Sequence, residues 1–297
     1  GAIGAGGGAV TAGSLAVPGT LRAPGGQAIA LRGDALDLAG GSVSAGATGT
    51  VEIGPRSSDY AVQIGTAGNP AGTLELATAD LAAITTGTLQ LGRTTIASQA
   101  TATISARGLS VVDALATDAA LSLFSANGIS VQANVTAPSV RMETTTGDIA
   151  LGAVNVQAEG SGAAITLLAA GGITQAAGGA LVSPTGTTVD LIAHAPEGLN
   201  LAGVGDFRLA GGITPEGAGG ERSLYSLSEV SFSTTGRITV AAPVESEGAS
   251  LTVSLAGSSI AIEAPIITSA LAGLSLTASG DGAGSTITQT AAGLLRT

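Results

Sequence analysis

Few residues in this chain are of types that do chemistry, and most of them stand alone. The single His194 lies near Asp190 and Glu197, a grouping that could furnish a general base. Hydrolase chemistry of the Ser-His-Asp kind also needs a nucleophile on a strained turn, and no Gly-x-Ser-x-Gly occurs in the chain. His194 is therefore expected in a solvated turn. One imidazole among scattered carboxylates makes a poor zinc ligand set. Glu245 and Glu247 share a strand face at i and i+2, as paired acids of a carbohydrate-cleaving enzyme would, but no basic or aromatic residue lies near them in sequence. Gly4-Ala5-Gly6-Gly7-Gly8-Ala9 loosely matches a dinucleotide fingerprint, yet no helical period follows it. The chain reads as non-enzymatic, with no cofactor.

Recognition chemistry has more support. Arg32-Gly33-Asp34 falls between two short strands, where an exposed turn belongs; integrin-type recognition would need Arg32 and Asp34 displayed outward, the carboxylate completing a metal site on a receptor. Gly-Asp is also a favoured corner, and the structural turn is the simpler reading. Two longer polar interruptions hold both tyrosines and both signs of charge. The stretch from Gly54 to Tyr60 offers Arg56, Asp59 and Tyr60, and that from Thr214 to Tyr225 offers Glu216, Glu221, Arg222 and Tyr225. They read as loops extruded from a scaffold, the usual place for partner contacts.

The scaffold is written in the spacing of apolar residues. Leu121-Ser122-Leu123, Val140-Arg141-Met142, Ile165-Thr166-Leu167 and Val189-Asp190-Leu191 repeat one apolar-polar-apolar triplet, and Val230, Leu251 and Leu274 begin triplets that continue the row. A second set follows at Ile129, Ile149, Leu199, Ile238 and Ile260. Earlier in the chain, Ile29 and Leu31, Leu36 and Leu38, Val51 and Ile53, Leu74 and Leu76, and Leu89 and Leu91 keep the rhythm of paired positions two apart. Period-2 triplets recurring between Gly-rich corners are the signature of a solenoid. The expectation is an all-β, right-handed parallel β-helix of roughly 13 coils of about 20–24 residues, with the gap from Val189 to Val230 read as two coils. It would run through residues 1–297 as one continuous domain, on the order of 60 Å long at one strand spacing per coil.

Composition supports that architecture. Of 297 residues, 2% are aromatic and 10% charged, so the core must be filled by Val, Ile, Leu and Ala, which suits the thin interior of a solenoid. Ten arginines, no lysine and 21 carboxylates give a formal charge of -11 and a pI near 4.3, which argues against nucleic acid and anionic lipid as partners. Gly162 to Val182 is uncharged over a membrane-spanning length, but its glycines and polar residues match the neighbouring coils, and too few aromatics exist to girdle a membrane barrel; no membrane insertion is expected. Thr-rich runs such as Thr144-Thr145-Thr146 could template ice, although the outward row Ser122, Arg141, Thr166, Asp190 breaks the array.

The stretch from Thr146 to Ile213 resembles the repeat region of filamentous-haemagglutinin-like adhesins, large exoproteins of Gram-negative bacteria exported by two-partner secretion. The resemblance is carried by Gly172-Ile173-Thr174-Gln175 and Ser285-Thr286-Ile287-Thr288-Gln289-Thr290, each followed by Ala-Ala-Gly, and by Gly205-Asp206-Phe207. It departs from the family's Asn-rich secretion-domain turns, for which Gly68-Asn69-Pro70-Ala71-Gly72 is the nearest match. The resemblance implies an extracellular or cell-surface adhesive rod, either part of a longer protein or a filament subunit. Its partners would be further copies stacked end to end, a host or cell-surface receptor, or a glycan. A carbohydrate-binding or polysaccharide-cleaving β-helix is the alternative.

Overall fold

The structure, a computed structural model, describes residues 8–66, 70–95, 104–160, 162–211, 222–246, 252–268, 273–280 and 284–296. The chain divides into two compact units, Gly1–Thr145 and Thr146–Thr297. Both are parallel β-solenoids: short strands, each followed by a corner that carries the chain round to lie beside the strand before. Alternation of side chains between the two faces of a strand points every second residue inward, so the apolar members of each triplet meet those of the neighbouring coil.

In unit 1, Ile29 and Leu31 lie beside Val51 and Ile53, which lie beside Leu89 and Leu91. Leu121 and Leu123, then Val140 and Met142, extend the same row. A second sheet stacks Leu74 and Leu76 on Val62 and Ile64, then Leu109 and Val111, then Ile129 and Val131. None of these side chains is more than 4% exposed. Each buried Leu, Ile or Val contributes about 1.5–3 kcal/mol relative to an exposed one, and each does so only because the next coil covers it.

Two pieces of unit 1 fall outside the repeat. Thr78–Ala82 forms a one-turn helix, favoured by its alanines and by Asp80 in the first turn, with Leu81 turned into the core. The Arg93–Thr94 segment pairs antiparallel with Ile104–Ser105. Neither was legible as a departure from the strand rhythm.

In unit 2, Ile165 and Leu167 lie beside Leu191 and Ala193, and Val189 and Leu191 beside Phe207 and Leu209. Ile238 and Val240, then Ile260 and Ile262, then Ile287, continue that sheet. The facing sheet runs Ile149, Ile173, Leu199, Val230, Val253, Leu274. The two sheets meet at Phe207 and Phe232, whose rings contact edge to face at 5.3 Å. Gly203 makes room for them: a Cβ there would stand 2.7 Å from the Phe207 ring.

The expected register is corrected here. Val189 and Val230 are not two coils apart in one row but lie on different sheets, and from Val230 onward the two predicted rows exchange. Val230 and Leu274 continue the Leu199 row, whereas Ile238 and Ile260 continue the Val189 row; Leu251 lies outside the described residues. Coil length is also less uniform than 20–24 residues. Neighbouring partners are 18 residues apart at Asp190 and Arg208, 22 at Thr20 and Ser42, 31 at Asp206 and Arg237, and 47 at Thr66 and Asp113. The longest of these spans carries core residues of its own, Leu74 and Leu76 in the second sheet and Leu81 on the helix.

Candidate functional site

Among the described residues, each unit brings polar side chains from several coils together. In unit 1, Arg32 ends the strand Ala28–Arg32, and its Nη2 donates to the Thr94 carbonyl oxygen at 3.2 Å. Glu52, in the next coil, accepts the Thr95 amide at 2.6 Å and the Thr95 hydroxyl, and Gln90, a coil further, donates to the Arg93 carbonyl at 2.9 Å. Three outward side chains from successive coils thus grip the backbone of one crossing segment. Arg32 is 5% and Glu52 4% exposed. The segment's groups replace water for Arg32 Nη2 and for Glu52, while Arg32 Nε is buried without a hydrogen-bond partner.

The same contacts place the Arg32-Gly33-Asp34 turn. The guanidinium of Arg32 faces into the molecule, so the tripeptide does not present its two charges together. Asp34 pairs instead with Arg56 at 3.4 Å. The loop that carries Arg56 does reach solvent: Arg56 and Asp59 are exposed and Tyr60 is half-buried. The Tyr60 carbonyl accepts the Arg107 amide at 2.8 Å, which places a second exposed arginine beside the loop. Arg107 lies 47 positions from Tyr60 in the chain, and only coil stacking brings them together.

Beside the grip, Arg93 lies 3.5 Å over the centre of the Phe124 ring and 3.4 Å from Glu143, which also holds Arg141 at 2.6 Å. Burial pushes the Arg93 guanidinium below its ordinary pKa, and Glu143 works in the opposite direction. Sequence reading missed this group because its members are spread over several coils.

In unit 2, Leu168, His194, Tyr225 and Glu245 occupy equivalent positions in successive neighbouring strands. The His194 and Tyr225 rings stack at 4.6 Å, 12° from parallel. The Arg222 guanidinium stands 4.4 Å over the Tyr225 ring, and its Nε is 2.9 Å from a Glu245 oxygen. His194 was expected in a solvated turn; it is 8% exposed, as is Tyr225. Burial, with Arg222 adding to it, pushes the His194 pKa below its ordinary value. Glu245, without a partner in nearby sequence, gains both a basic and an aromatic one through the fold. Glu216, Glu221 and Glu247 lie outside the described residues, as does most of the segment Gly4 to Ala9.

Several carboxylates elsewhere serve the backbone. Asp148 accepts the Gly172 amide at 2.8 Å, Asp206 the Arg237 amide at 2.7 Å, and Asp113 the Thr66 amide at 2.9 Å, each joining one coil to its neighbour. Among the described residues no three His, Cys, Asp or Glu side chains form a group able to hold a metal, and no helix is long and apolar enough to cross a membrane. A concavity of about 380 Å³ in unit 1, bordered by Val10, Leu15, Val17, Leu21 and Leu31, has no titratable side chain in its lining. No protein-family model matches the chain, and neither a curated protein nor a solved structure is significantly similar to it.

Proposed function

We propose that the chain is a non-enzymatic, extracellular structural and adhesive element: the shaft of a Gram-negative bacterial surface adhesin of the filamentous-haemagglutinin-like kind, or a subunit of a surface filament. The observation that carries this reading is how the carboxylates are used. Asp113, Asp148 and Asp206 hold the backbone of neighbouring coils, and Asp34, Glu143, Asp190 and Glu245 are paired with arginines, so the polar inventory works to hold coils together. Contact with a receptor, a glycan or another copy falls to loops outside the stack, chiefly the one bearing Arg56, Asp59 and Tyr60 beside Arg107.

The competing class, a carbohydrate-binding or carbohydrate-cleaving β-helix, draws on the meeting of Tyr225, Arg222, His194 and Glu245. An aromatic, a base and an acid in one place is a sugar-binding vocabulary. Here the Tyr225 ring is already covered by an imidazole and a guanidinium, which take up the area a sugar would stack on.

The test is to couple the purified chain to beads and measure adherence to host cells and glycan-coated surfaces, while assaying polysaccharides incubated with it for released oligosaccharides. Adherence without release supports the adhesive element. Release of oligosaccharides, or no adherence together with monomers at every concentration by electron microscopy, overturns it.

A further inference from the structure

The column Leu168, His194, Tyr225, Glu245 contains a group that the stacking of coils does not explain. A side chain such as Leu168 at the position of His194 would continue the column without a polar atom. Instead an imidazole is 8% exposed, and its Nδ1 is buried with no hydrogen-bond partner. We propose that this column is an acid-operated latch in unit 2: a proton taken up by His194 sets a cation against Arg222, breaks the hold of the Tyr225 and Arg222 stack, and frees the strand Leu224–Ser226, drawing the buried Leu224 from between Ala193 and Val244 while the apolar rows of the other strands stay closed.

Among the described residues, the surroundings of His194 offer the added charge no compensation. On one side is Leu168, which is apolar. On the other is Tyr225, with Arg222 over its ring and Glu245 one coil beyond, already engaged with Arg222. On its own strand Asp190 is bonded to Arg208 at 3.2 Å, and Glu197 is exposed at the following corner. A buried imidazolium next to a guanidinium, without an available carboxylate, is relieved by moving into water.

The strand that must yield is short. Leu224–Ser226 has three residues, all buried, paired in register with Ala193 and His194 on one side and with Val244–Ser246 on the other. Local release of so short a strand needs far less free energy than unfolding the unit. It would present Arg222 and Tyr225, a cation and an aromatic ring, to a partner under acidic conditions.

The test is amide hydrogen exchange on the full chain at pH 7.5 and pH 5.0, with each rate corrected for intrinsic exchange. The native chain is expected to lose about tenfold protection across residues 222–227 on acidification, with residues 252–257 unchanged. His194→Leu, which extends the apolar column from Leu168, keeps protection at both pH values; His194→Gln, closer in polarity, serves as the second variant and does the same. No loss in the native chain, equal loss in both variants, or parallel loss at 252–257 overturns the latch.

Discussion

The Asp206 carboxylate accepts the amide of Arg237 at 2.7 Å although 31 residues separate them. It ties a corner of one coil to the next at an exposed position. Charge-assisted bonds of this kind are stronger than neutral ones, but water can take the place of the acceptor here, so only the net worth of the bond is lost. Asp206→Ala is therefore expected to destabilise the chain by about 0.5–1.5 kcal/mol. Asp206→Asn, which keeps an oxygen in place, should lose about half as much. Urea unfolding of both variants, compared at equal m-value, checks the order.

Leu191 and Asp190 are chain neighbours with opposite fates. Leu191 is fully buried between Ile165 and Leu209, whereas Asp190 points outward to Arg208. Leu191→Asp buries an unpaired charge and should lower the thermal midpoint sharply, at a cost of more than about 3 kcal/mol. Asp190→Ala removes a largely exposed ion pair and should change stability by less than about 1 kcal/mol. Equal effects at the two positions would mean that the inward and outward faces have been misassigned.

Gly203 and Phe207 share a space that holds one of two things, a side chain at position 203 or the ring. A Cβ at 203 would stand 2.7 Å from the ring, and the phenyl group also packs against Phe232. Gly203→Ala alone should destabilise by about 1–3 kcal/mol through overpacking. Adding Phe207→Leu should recover part of that loss, because the smaller side chain vacates the contested volume. The double-mutant cycle is expected to give a coupling energy outside the additivity error of about 0.5 kcal/mol.

The solenoid was legible because inward alternation survives in most of the described strands: Ile29 with Leu31 and Ile260 with Ile262 are the same triplet at opposite ends of the sequence. Which sheet a triplet belongs to was not. Val230-Ser231-Phe232 and Val189-Asp190-Leu191 have one pattern yet sit on facing sheets, and nothing in an apolar-polar-apolar unit records which face it joins. The side-chain groups were hidden for a related reason. Arg32, Glu52 and Gln90 look like ordinary outward residues until a segment crosses over them, and Glu245 meets Arg222 and Tyr225 only once the coils are stacked. Of the residues singled out for recognition, Arg56 and Asp59 are exposed, whereas Arg32 and Tyr225 are buried.

His194 also sets a pH dependence for the stability of unit 2. Its pKa in the folded chain lies below the ordinary 6.5 because burial, and then Arg222, disfavour the imidazolium. As the pH falls below 6.5, the unfolded chain takes up a proton that the folded chain refuses, so the unfolded state gains. The stability present above pH 6.5 is thus lost progressively until the pH passes the folded value, beneath which this residue adds no further slope. His194→Leu removes the titration, and its unfolding free energy should vary less than that of the native chain between pH 7 and 5. Urea titrations at half-unit intervals measure both curves. A slope unchanged by His194→Leu would show that the acid sensitivity of the unit does not come from the stacked imidazole.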